Sequence, residues 1–78
     1  MDKQDIALIE KLTQENQELA ALWREHQQLD AQLDAMAQRT YLSPQDEQEV
    51  KRLKKVKLAG RDRIEQILAA YRQENPGA

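Results

Sequence analysis

Ser43-Pro44 is the feature that most constrains what this chain can fold into. Two stretches of seven-residue apolar periodicity meet at Tyr41-Leu42-Ser43-Pro44, and no glycine or proline occurs before Pro44. Proline at the first position of a helix costs nothing, because its missing N–H would have no intrahelical acceptor there, and it biases the preceding residue away from helical dihedrals. Ser43 is then the N-cap and Asp46, three residues on, completes a capping box. The short connection favours antiparallel neighbours. The chain therefore reads as one all-α domain over 1–78: an antiparallel two-helix hairpin of coiled-coil type. Its first helix runs from about 3 to 39, the turn over 40–43 and the second helix from about 44 to 74. Asn75-Pro76-Gly77 stops the second helix, leaving a disordered tail at 75–78.

Asp2 is an N-cap candidate for the first helix, with Asp5 in its first turn. Leu12, Leu19 and Leu33 at a, with Leu8, Leu22, Leu29 and Met36 at d, form one apolar seam that Ile9 and Trp23 widen. Glu15 and His26 interrupt it. Glu15 is expected to lean out to solvent near Ile67 and Tyr71, with a hydrogen bond to the Tyr71 hydroxyl as the sharper alternative, and Asn16 reads as a polar register marker. On the second helix Val50, Leu53, Ile64, Ile67 and Tyr71 fill the seam, Val56 and Leu68 flank it, and Lys57 and Gly60 are its anomalies.

Folding the chain at the turn brings together residues whose numbers sum to roughly 83 to 86, within about one helical turn. The oddities then coincide: Trp23 and His26 come opposite Lys57, Gly60 and Arg61, with Asp30 one turn from His26. A mid-helix glycine costs about 1 kcal/mol relative to alanine, so Trp23 is expected to pack over Gly60. His26, Asp30, Lys57 and Arg61 form a polar layer that fixes register at some cost in stability. The competing use of His26, as an acid/base group oriented by Asp30, has little support, since no nucleophile or paired catalytic carboxylate accompanies it. One histidine without cysteine is a poor metal site as well. No Gly-rich phosphate loop is present. The expectation is a protein without catalysis, metal or cofactor.

A seam of this kind is thin: the chain has 78 residues, no phenylalanine and a single tryptophan. Ile6, Leu8 and Ile9 would project past the end of the second helix, and Leu58 is apolar off the seam. Homodimerisation into a four-helix arrangement, or burial against another helical protein, is expected to cover them. The absence of cysteine fits a reducing compartment, and with no signal-like start and no apolar run of about 18 residues the expected location is cytoplasmic. Membrane binding and a small-molecule substrate are not expected.

The stretch Lys51, Arg52, Lys54, Lys55, Lys57, Arg61, Arg63 is basic although the chain carries a net charge of −2. Lys51, Arg52, Lys54 and Lys55 are a candidate face for a partner. Pairing with the acidic first helix is the preferred account of the whole stretch, with Lys54, Lys57 and Arg61 reaching across the seam. The alternative is a nucleic-acid or ribosome-associated accessory protein; it lacks the net charge and stacking aromatics usual for such binders.

His26-x-x-Leu29-Asp30-x-x-Leu33, followed after the turn by Leu53-Lys54-x-x-Lys57-Leu58-x-x-Arg61-Asp62-x-Ile64-x-x-Ile67-Leu68, resembles the YdcH-like small bacterial proteins of unknown function. The resemblance covers most of the chain. It implies a bacterial, cytosolic helical hairpin with no known enzymatic activity, cofactor or substrate. Gly60 departs from the family pattern, where a larger residue is usual, and Arg61 stands where lysine is common, which keeps the charge but not the hydrogen-bond geometry. The leading functional reading is a structural or adaptor module that self-associates through its helices and presents a charged face to a protein partner.

Overall fold

The computed structural model describes residues 2–75 and contains three helices, α1 (Lys3–Leu12), α2 (Gln17–Ala37) and α3 (Pro44–Glu74), with no strand among the described residues. The all-α class holds. The expectation of one continuous first helix over 3–39 is corrected: that stretch is two helices, separated by a turn over 13–15 and by Asn16.

The N-termini of all three helices are capped by short polar side chains. Asp2 Oδ1 accepts from the Asp5 backbone N–H at 2.8 Å, and Asn16 Oδ1 accepts from the Leu19 N–H at 3.0 Å. Ser43 and Asp46 close a full capping box: Ser43 Oγ accepts from the Asp46 N–H at 3.1 Å, and Asp46 Oδ2 accepts from the Ser43 N–H at 3.2 Å. Asn75 caps the far end of α3, its N–H donating to the Tyr71 carbonyl at 2.9 Å. Apart from Asn75, the expected disordered tail lies outside the described residues.

α2 and α3 run antiparallel, as three ion pairs along their length show: Glu18 with Arg63, Asp30 with Lys57, and Arg39 with Asp46. These pairs bracket the register read from the sequence. The molecule is 48 Å long and 19 by 18 Å across, a length set by the 31 residues of α3 at about 1.5 Å each.

α1 does not extend beyond α3. It folds back over the end of the α2–α3 pair, where Ile9, Leu12, Leu19, Ile64 and Leu68 form one buried cluster flanked by Leu8, Leu22, Trp23, Ile67 and Tyr71. Arg72 of α3 reaches Asp5 of α1 at 2.5 Å. The expectation that Ile9 would project uncovered is therefore wrong: Ile9 is fully buried, and Ile6 and Leu8 are half-buried. The physical reason is long-range burial. A straight helix would strand Ile9 and Leu12 away from Ile64 and Leu68, forfeiting about 2 kcal/mol for each side chain, against about 1 kcal/mol for each helical hydrogen bond given up at the bend. Leu68, read as flanking, belongs to the core for the same reason. Towards the Ser43 turn, where only two helices meet, Leu29 and Leu53 are the buried apolar side chains.

Candidate functional site

The polar layer assembles one turn beyond the three-helix core. His26 lies flat against Trp23, ring centroids 5.4 Å apart and planes 10° from parallel, on the face of α2 that meets α1 and α3. Asp30, one turn along α2, places Oδ2 3.8 Å from His26 Nε2, while its Oδ1 pairs with Lys57 Nζ of α3. Ile6 of α1 joins Trp23, His26, Asp30, Lys57 and Arg61 around a shallow cleft of about 260 Å³. The sequence-derived layer thus comes together, with two differences. Arg61 borders the cleft but turns its Nε to Glu65 on its own helix at 3.3 Å. Trp23 does not pack over Gly60: a methyl group built at Gly60 would meet nothing within 4 Å, so the indole imposes no demand for glycine there. Trp23 is engaged instead by His26 and by the three-helix core, a role that becomes visible only once α1 folds back.

The pKa of His26 is lowered from its usual value. Burial depresses its pKa most, and the positive charges of Lys57 and Arg61 push the same way, while Asp30 opposes them. Its Nδ1 is sealed from solvent and has no hydrogen-bond partner. The other nitrogen faces a carboxylate already engaged by Lys57. Displacing α3 along α2 would separate Lys57 from Asp30. Among the described residues, no three His, Asp or Glu side chains converge as a set of metal ligands.

The ion pairs that tie α3 to the rest are spread along its length. Arg63 grips Glu18 with two bonds, Nε to Oε2 at 2.9 Å and Nη2 to Oε1 at 3.0 Å, and holds that carboxyl below its usual range. Arg72 does the same to Asp5. Of the three cations expected to reach across the seam, Lys57 alone forms an ion pair with α2. Lys54 makes no ion pair among the described residues, and Arg61 stays on α3. Asn16, read as a register marker, is the N-cap of α2. The signal was present in Asn16 itself and in Glu18 within the first turn, a cap signature obscured by apolar periodicity that runs on through it. Glu15 is exposed in the preceding turn and forms no hydrogen bond with Tyr71.

On the outer side of α3 and its flank towards α2, Lys51, Lys54 and Lys55 are exposed and form no ion pair with the described residues. Arg52 is bound to Glu49 one turn back, Nε to Oε2 at 3.1 Å, which holds that carboxyl below its usual range. Leu58 stands among these lysines with 58% of its surface open. A groove of about 180 Å³ runs beside it, with Leu33 and Leu58 as apolar walls and Lys54, Lys57 and Arg61 on the rim.

The helices that carry this layer and this face also carry the family signal. The sequence profile described as "Protein of unknown function (DUF465)" matches residues 19–68. The chain belongs to this family. YdcH is a member of the same family of small proteins of unknown function, so the resemblance read from the His26 and Leu53 motifs is shown. No curated protein and no solved structure matches the chain significantly. The matched segment runs from the first turn of α2 to Leu68 of α3 and excludes α1, Asn16 and the last turns of α3. No helix among the described residues is long and apolar enough to cross a membrane.

Proposed function

We propose that this protein is a non-catalytic cytoplasmic adaptor that self-associates through its helices and offers the outer face of α3 to an acidic amphipathic helix of a protein partner. The observation that carries this reading is the isolation of Leu58. A leucine more than half exposed, set between Lys51, Lys54 and Lys55 that have no ion-pair partner among the described residues, has the form of an apolar anchor inside a cationic rim. The groove beside it would accept a leucine-bearing helix, and the lysines would meet carboxylates one turn either side. The polar layer fits an adaptor as a register device: the His26 Nδ1 is buried from solvent.

Crosslinking and mass spectrometry in native cells test it. Crosslinks from Lys54 and Lys55 to acidic helical segments of a protein, lost on Leu58→Glu substitution with helicity unchanged, are the expected result. The same three lysines favour a second reading as a nucleic-acid accessory protein. Recovery of RNA at Lys51, Lys54 and Lys55, with retention that falls steeply as salt rises, would replace the first reading by the second.

A further inference from the structure

We infer that α1 is an exchangeable arm and Asn16 its hinge: two copies of this chain associate by swapping α1, each arm seating on the α2–α3 pair of the other copy. The inference rests on the self-association part of the proposed function and supplies its contacts.

The backbone at the bend leaves the α-helix over a short stretch, residues 13–16. Thr13 ends α1 with helical dihedrals (φ −63°, ψ −20°), and its N–H donates to the Ile9 carbonyl at 2.9 Å. The Gln14 and Glu15 N–H groups donate three residues back, to Lys11 and Leu12, in a tightened helical turn. The Asn16 N–H still donates four residues back, to the Leu12 carbonyl at 2.9 Å, and the Asn16 carbonyl already accepts from the Ala20 N–H at 3.0 Å. Asn16 itself is extended, at φ −125° and ψ 106°. Rotating that residue into the helical region, with slight relaxation of Gln14 and Glu15, joins α1 and α2 into one helix over 3–37, about 52 Å long.

The sequence suits both states. No glycine or proline stands in 13–16, and the apolar seven-residue pattern passes through the bend in register, from Leu8 and Leu12 to Leu19 and Leu22. Glu15, the charged residue in that pattern, falls in the stretch that would bridge two α2–α3 pairs and needs no apolar cover. In the exchanged dimer Ile9 and Leu12 of one copy meet Ile64 and Leu68 of the other, so the core is the same and only the hinge differs. Asn16 loses its cap on Leu19, and the N–H groups of Gln17, Glu18 and Leu19 gain carbonyl partners in the continuous helix. Beside the bend lies an open groove of about 400 Å³, with Leu12, Ile67 and Tyr71 along it and Glu15, Glu18 and Arg63 among its polar lining.

Two substitutions at the hinge push in opposite directions. Gln17→Pro suits the bent state alone: proline is favoured at the first helical position and presses the preceding residue into the extended region Asn16 already occupies, whereas in a continuous helix it would remove a hydrogen bond and clash. Asn16→Ala removes the cap and favours the continuous helix. Sedimentation equilibrium on the full chain should show Gln17→Pro weakening dimerisation, and Asn16→Ala tightening it, each by about tenfold or more.

Because the chain has no cysteine, Asp5→Cys and Arg72→Cys introduced together give one defined α1–α3 crosslinking pair. In a mixture of isotopically light and heavy chains, crosslinks within dimers joining light to heavy are the expected result. Dimers that persist unchanged in Gln17→Pro, or whose α1–α3 crosslinks stay within one chain, would overturn arm exchange while leaving self-association standing. A parent chain and an Asn16→Ala chain that are both folded and monomeric at every concentration would overturn both.

Discussion

The two ends of the molecule use the same kinds of residue to different effect. At the α1 end three helices converge, and Ile9, Leu19 and Ile64 lose all contact with solvent. At the turn end two helices meet: Leu29 and Leu53 are buried, but Leu33, Met36, Val50 and Val56 remain half-open and Leu58 faces solvent. Leucine content does not account for the contrast. A pair of helices presents a seam one side chain deep, whose flanks stay wet, and a third helix laid across it closes those flanks. Stability is therefore concentrated at one end, and open apolar surface at the other.

Truncating core side chains is the strongest way to break this comparison. Ile64→Ala or Leu19→Ala should cost about 2–5 kcal/mol in urea unfolding, whereas Val56→Ala should cost under about 1.5 kcal/mol, since its surroundings are already partly solvent. Equal costs would mean that the turn end is as well packed as the α1 end. A smaller effect, of opposite sign, is expected at Gly60. Gly60→Ala should raise stability by about 0.5–1 kcal/mol and leave Trp23 fluorescence unaltered, because an added methyl group meets open space and mid-helix alanine is better than glycine. A loss of stability there would place a neighbour where the structure has none.

The smallest effect expected is a pH dependence at the boundary between the two ends. The His26 pKa is lowered on folding, chiefly by burial, so folding releases its proton. Its contribution is fully present above the usual histidine range near pH 6.5 and is lost as pH falls through it. The urea midpoint should drop between pH 7.5 and 5.5, and His26→Gln should flatten that drop. Asp5, Glu18, Asp46 and Glu49, whose pKa values are lowered by arginine partners or by the Ser43 cap, make their own losses at more acid pH, so the two windows separate. A slope that His26→Gln leaves intact would assign it elsewhere.

Much of this architecture was legible before the chain was folded. The capping box at Ser43 and Asp46 is a local matter of a few hydrogen bonds and one proline, so its residues announce it wherever they occur. The meeting of His26, Asp30 and Lys57 follows from that turn, because two antiparallel helices anchored at one end share a register. The packing of Trp23 was not legible, since it depends on a helix that arrives from outside the pair. The outer lysines were legible as a charged run, but which of them lacked partners depended on side-chain reach: Lys57 finds Asp30 and Lys54 finds no described carboxylate.

The sequence by itself determined three things: an all-α chain, a break at Ser43-Pro44, and membership of a family whose signal lies in residues 19–68. Tertiary structure alone decided the direction of residues 3–12. Thr13 to Asn16 carry no strong helix breaker, and either a bend or a continuous helix satisfies their backbone at similar local cost. When local terms are so nearly balanced, burial chooses. Ile9 and Leu12 find Ile64 and Leu68 only if the chain turns back at Asn16, and those partners are more than fifty residues away in sequence. No reading of neighbouring residues contains that contact.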